Sequence, residues 1–216
     1  MSIRDDLQSV ERRIAQACAR AGRRRDEVTL VAVSKTKPAE MIDEAIAAGV
    51  TEVGENRVQE ARDKKPLVRG RARWHLIGHL QSNKAKDAVR LFDVIQTIDG
   101  TDLAEKVARA AASAGKVQEV LIEVNIGNEP QKSGAAPADA GALADTMRKL
   151  DALRLRGLMA IPPAEDARRS FGELRALRDR LGLDELSMGM TDDFETAIEE
   201  GATIIRVGRA IFGERG

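Results

Sequence analysis

Apolar positions near the start of the chain recur in steps of three and four: Ile3, Leu7, Val10, Ile14, Cys18 and Ala21. That spacing lays them on one face of a helix. Ser2 with Asp5 has the form of a capping box, and Arg23, Arg24 and Arg25 fall where a helix C-terminus favours cations. Beyond this helix the period changes, and short β-branched runs alternate with Ala-, Glu- and Arg-rich stretches. The runs predict strands at 28–35, 52–56, 73–78, 94–98, 119–125, 155–161, 185–190 and 203–207. The intervening stretches predict helices at 38–48, 58–65, 82–91, 101–114, 137–150, 166–181 and 192–200. Eight strands separated by helices predict an α/β protein: a single closed (β/α)8 TIM-like barrel with an extra N-terminal helix, residues 1–216 forming one domain. Leu30, Val31, Ala32 and Val33, and Leu121 with Ile122, are apolar on both strand faces, as strands beneath a helical layer must be. An open doubly wound sheet is the alternative. Its glycine-rich first turn is missing, because Ser34, Lys35, Thr36, Lys37 and Pro38 occupy that place.

Charge and composition narrow the function classes. The 216 residues carry 35 Lys+Arg against 35 Asp+Glu, whereas a dedicated nucleic-acid binder shows a basic excess. The Arg23–Arg25 run therefore reads as helix-end cations. At 43% hydrophobic and 32% charged, the chain is an ordered globular protein. Its one cysteine, Cys18, permits no internal disulfide and fits a reducing compartment. No apolar run approaches the ~18 residues of a membrane span, and the N-terminus has no apolar signal core. The expectation is a cytoplasmic monomer with neither nucleic acid nor membrane as partner.

In a barrel of this kind the active face lies at the strand C-terminal ends. Lys35 ends the first strand on the face of Val31 and Val33. Apolar surroundings disfavour the charged ammonium and free an amine that attacks carbonyls, a sugar-like substrate or pyridoxal phosphate among them. The plain alternative is a strand-end lysine in solvent. The seventh strand runs into Ser187, Met188, Gly189, Met190 and Thr191, and the eighth into Arg206, Val207, Gly208 and Arg209. These two loops are the recurrent phosphate site of the fold, with hydroxyls from Ser187 and Thr191 and close backbone approach at Gly189 and Gly208. Alternatively these glycines only turn the chain. Asn56, ending strand two, is placed to hold a ligand hydroxyl, and Met159, in strand six, either packs on a ligand ring or is core. His75 and His79 lack the further ligands a metal site needs, so no metal is expected.

Five blocks carry a resemblance: Ala32 to Pro38, Gly54 to Glu60, Trp74 to Lys84, Leu186 to Asp193 and Arg206 to Gly213. In this order they resemble the pyridoxal phosphate homeostasis protein family over nearly the whole chain. The resemblance implies a barrel similar to the N-terminal domain of alanine racemase, with pyridoxal 5'-phosphate held as an aldimine on Lys35. It places the phosphate on the loops of Ser187 to Thr191 and Arg206 to Arg209, and assigns Arg215 a position near it. Arg209 departs from the small hydroxyl residue many members carry. Strand alternation puts Arg206 on the face of Gly208; by resemblance it reaches the pyridine nitrogen, while pairing with a barrel carboxylate or contacting phosphate are the alternatives.

The family is credited with binding, buffering and delivering the cofactor, with cofactor-free enzymes as recipients and no established turnover. The sequence supports that negative independently. Racemisation needs a positioned base on each face of the substrate, the resembled racemase uses a tyrosine for one, and this chain contains no tyrosine. A racemase, or an aldolase forming a Schiff base with a phosphorylated sugar, is the competing expectation.

Overall fold

The leading apolar stripe forms α1 (Ile3–Arg20), which buries Ile3, Leu7, Val10, Ile14, Ala17 and Cys18. In this computed structural model, which describes residues 2–214, the capping box is made: Ser2 Oγ accepts from the Asp5 N–H at 3.2 Å, and the Asp5 carboxylate accepts from the Ser2 N–H at 3.1 Å. After α1 come β1 (Thr29–Val33), α2 (Ala39–Ala47), β2 (Glu52–Glu55), α3 (Val58–Lys64), β3 (Arg73–Leu76), α4 (Ala85–Leu91), β4 (Val94–Ile98) and α5 (Thr101–Ser113). The second half holds β5 (Gln118–Glu123), α6 (Ala140–Arg148), β6 (Leu153–Met159), α7 (Ala167–Arg180), β7 (Glu185–Ser187), α8 (Phe194–Glu199), β8 (Ile204–Val207) and α9 (Arg209–Phe212).

The strands close in sequence order into a parallel barrel. Val31 of β1 is paired with Glu52 of β2 on one side and with Arg206 of β8 on the other. Outward-facing Ala32, Val53, Ile95, Val120, Ile122 and Ile205 pack beneath helix residues such as Ile42, Phe171 and Phe194. Inward-facing Val31, Val94, Leu121, Met159 and Ile204 make a separate cluster within the lumen. Two apolar layers, one on each strand face, explain why these strands read as continuous rather than alternating runs.

α1 packs over α8 and α9. Its Arg13 guanidinium lies 4.5 Å from the Phe194 ring centroid and bonds Glu195 at 2.7 Å. The basic run after α1 is spent internally. Arg23 donates to the carbonyls of Ile198 and Ala202, Arg24 pairs with Asp26, and Arg25 grips both oxygens of Glu11. No helix among the described residues is long and apolar enough to cross a membrane.

Several expected boundaries move. The predicted strand at 185–190 stops at Ser187, because Gly189 takes a left-handed φ of 88°. The strand expected at 155–161 is formed two residues earlier, and the helix expected at 137–150 shortens to α6. The start of the helix expected at 82–91 is a 3-10 turn, Ser82–Lys84. Helix α9, four residues long, is too short to show a period.

β6 meets β7 at Gly157, which pairs with Glu185. A Cβ there would lie 2.0 Å from the Glu185 carbonyl oxygen, so the strands must part to admit it. Gly157→Ala is expected to lower stability by about 1–3 kcal/mol or more, seen as a lower urea midpoint at unchanged slope.

Candidate functional site

Lys35 leaves β1 through a tight turn in which the Lys37 N–H donates to the Ser34 carbonyl at 3.0 Å. Thr36, between them, has a φ of 65°, left-handed for a residue with a β-branched side chain. The surroundings hold it there. The Thr36 N–H donates to Glu60, and Lys64 reaches under the turn to the Ser34 carbonyl at 2.7 Å. Lys64 also bridges Glu55 at 2.8 Å and Glu60 at 2.6 Å, and Ser34 Oγ donates to Glu55 at 2.7 Å. Glu55 is fully buried; burial pushes its carboxyl pKa up, while Lys64 and Ser34 pull it back. A buried ion pair thus anchors the turn that presents Lys35.

Half-buried Lys35 lines a cavity of about 430 Å³ at the strand C-terminal ends. The same cavity is lined by Thr191 from the loop after β7 and by Gly208 at the end of β8, so three of the expected site residues meet there. Lys37 and Arg209 add cationic side chains to its wall. Arg209, the departure noted in the sequence, bonds Asp192 and lies 3.5 Å from Glu214, while Lys37 Nζ donates to the Glu214 carbonyl at 2.5 Å. At Gly208 an added Cβ would come within 3.0 Å of the Val33 carbonyl, a contact tight enough that the neighbouring backbone would have to give way.

Arg206 points inward, as strand alternation requires, and is 3% exposed. It donates to Ser187 Oγ at 2.7 Å and to the Ala160 carbonyl at 2.9 Å. Burial lowers its pKa to about 10, with Asp193 and Glu123 opposing, so it stays a cation at neutral pH. Ser187, expected at the phosphate, is instead fully buried with its hydroxyl engaged inside the lumen: it accepts from Arg206 and donates to Gln96 Oε1 at 2.5 Å. Gln96 Nε2 lies 2.8 Å from His75 Nδ1, and His75 Nε2 lies 2.5 Å from Glu52 Oε2. Since the Gln96 nitrogen donates, His75 Nδ1 accepts and its Nε2–H donates to Glu52. A polar column therefore crosses the barrel from Arg206 near the mouth to Glu52 at the start of β2. Met159 is fully buried in the lumen cluster. Arg215 lies outside the described residues.

Asn56 lines a second cavity of about 270 Å³ at the same end of the barrel, with Gly78, His79, Glu123 and Lys132. His75 and His79 are not neighbours in function: His75 is in the column, while exposed His79 sits 3.6 Å from Asp99. Among the described residues no group of three or more His, Cys, Asp or Glu is placed to hold a metal ion. The column partners Glu52 and Gln96, and Glu123, were not singled out by sequence reasoning. Glu123 carried one available signal, an acid directly following the apolar run Val120, Leu121, Ile122.

The family model of the alanine racemase N-terminal domain matches residues 6–216. A curated pyridoxal phosphate homeostasis protein of Pseudomonas aeruginosa is 44% identical over 221 residues, covering 99% of this chain and 96% of that one. The chain belongs to the pyridoxal phosphate homeostasis protein family. PipY of Synechococcus elongatus, solved with pyridoxal phosphate bound, is 37% identical and superposes with a TM-score of 0.87, covering 98% of this chain and all of that one. An alanine racemase of Clostridium difficile, 13% identical with a TM-score of 0.79, shares the fold over 56% of its own length. Membership of the homeostasis protein family agrees with the barrel and with the resemblance read from the five sequence blocks.

Glu123 gives the site a titratable group. Burial and neighbouring Asp99 raise its pKa from 4.5 to about 7, against the opposing pull of Arg206. A raised carboxyl pKa contributes stability that is complete below 4.5 and is lost as pH climbs through about 7, a difference on the order of 3 kcal/mol. Replacing it by Glu123→Gln is expected to flatten that part of the stability–pH curve. A carboxyl carbon resonance titrating near neutrality, absent from the variant, checks the assignment.

Proposed function

We propose that the chain binds pyridoxal 5'-phosphate in the 430 Å³ cavity, with Lys35 as the amine that captures its aldehyde, and serves to buffer and deliver the cofactor rather than to turn over a substrate. The observation that carries this reading is the meeting of Lys35, Thr191 and Gly208 around one cavity at the barrel mouth. The residues fit the group. An amine stands on one wall, the cationic side chains of Lys37 and Arg209 suit a phosphate dianion, and the bare backbone at Gly208 allows close approach. The names of the 44% and 42% identical relatives, and the cofactor bound to PipY, support the same choice.

When bound, the cofactor supplies an electron-withdrawing ring and a reactive aldehyde. The chain's own residues bind and orient it. The pinned turn fixes where the Lys35 amine stands, and Thr191 offers a hydroxyl to the phosphate. Arg206, held from below by Ser187, keeps a positive charge under the site, which opposes protonation of a basic ring nitrogen placed against it. An unprotonated ring withdraws electrons less, so a carrier of this build suppresses side chemistry. The absence of any tyrosine supports a binding role over racemisation. In this reading the chain acts as a single-domain monomer in the cytoplasm, and cofactor-free enzymes are its recipients.

The purified protein loaded with the cofactor is expected to show a visible absorption band that Lys35→Ala abolishes while the far-ultraviolet circular dichroism stays unchanged. A band of undiminished strength in the variant contradicts the role of Lys35.

A further inference from the structure

Two of the residues that line the second cavity carry acceptors with nothing to accept. Asn56 Oδ1 and Glu123 Oε2 are buried and have no hydrogen-bond partner among the described residues. Glu123 is 9% exposed, and its carboxyl ends the inner face of β5 just where the barrel opens. Orphaned buried oxygens are costly and persist where a ligand or ordered water meets them. The cavity measures about 270 Å³, against the ~30 Å³ share of one water in the liquid, so it admits more than a bridging water.

The chemistry of the wall selects the ligand. With Glu123 ionised both orphans accept only, so the ligand must bring several N–H donors and tolerate a negative neighbour. The charged and titratable groups around it are Asp99 and Arg206, which act on Glu123, His79 beside Asp99, and Lys132, already paired with Glu129 at 2.5 Å. We propose that this cavity is a subsite for a primary ammonium group, from a simple amine or an amino acid, bound by Asn56 and Glu123. An ammonium offers three donors in a compact head, enough for both oxygens.

The site stands on its own geometry, and its purpose rests on the function proposed above. An ammonium lodged at the mouth becomes, once it has given up a proton, the kind of amine nucleophile that competes with Lys35 for an aldehyde. The two cavities share no lining residue, so the subsite does not require the cofactor to be present.

The test is a titration of the cofactor-free protein with ethylamine, propionate and alanine in turn, followed by backbone amide resonances. Ethylamine is expected to shift Gly78 and Ser133 saturably, and Glu123→Gln to weaken that binding about tenfold or more, as loss of a charged hydrogen bond does. Alanine shifting the same amides identifies an amino acid as an acceptable source, and ethylamine alone identifies a simple amine. Ethylamine shifts that are absent or mapped elsewhere overturn the proposal, as does equal binding of propionate. Should Glu123→Gln not fold, the contrast between ethylamine and propionate on the unmodified chain still decides. Lys35→Ala is expected to keep the ethylamine response, so a failure of cofactor capture and a failure of the subsite give different results.

Discussion

A guanidinium inside a closed barrel is the constraint around which the lumen is built. Arg206 cannot shed its charge at neutral pH, and an unpaired charge at 3% exposure is untenable. Its solution is a column rather than a direct ion pair. Ser187, Gln96 and His75 pass hydrogen bonds in one sense, donor to acceptor, until Glu52 accepts the last of them. Such a chain polarises cooperatively in a low dielectric, and each member fixes the orientation of the next. Losing any one partner strands its neighbours in the dry interior, so the column specifies side-chain identity in five strands at once: β2, β3, β4, β7 and β8. The apolar lumen cluster of Val31, Val94, Leu121, Met159 and Ile204 fills what the column leaves.

The mouth inherits its geometry from this interior. Gly208 is the next inward position after Arg206, and Lys35 lies two inward positions beyond Val31, the sheet partner of Arg206. The two cavities open there, one against β1 and β8, the other against β2, β3 and β5. The left-handed Thr36 shows that the Lys35 turn is not a relaxed connection. Glu55, Lys64 and Glu60 over-determine it, which is how strain persists beside a functional group.

What the sequence disclosed follows from what strand periodicity encodes. Alternation identifies inward-facing residues, and loop position identifies the open end, so Lys35, Thr191 and Gly208 were legible. Depth along the lumen is not encoded in the period. Ser187 was placed at the phosphate and Met159 left open between ligand ring and core; the structure puts both fully inside the lumen. The column was hidden because its partners are remote: Gln96 and Ser187 are 91 residues apart, and His75 and Glu52 are 23 apart. Asn56 was legible as a strand-end residue, but which cavity it lines depends on the order of strands around the closed barrel. Glu123 escaped notice because a single acid inside the predicted strand 119–125 has nothing adjacent in sequence to mark its surroundings. The five sequence blocks succeeded where periodicity ended, since they join residues the fold brings together from strands far apart.

The central claim is that Lys35 captures the cofactor's aldehyde. Borohydride reduction of the cofactor-loaded protein, followed by digestion and peptide mass mapping, tests it most directly. The account predicts one pyridoxyl group, carried by the peptide at Lys35. A label on Lys37 or Lys64, or no label in protein that retains the cofactor, would contradict it.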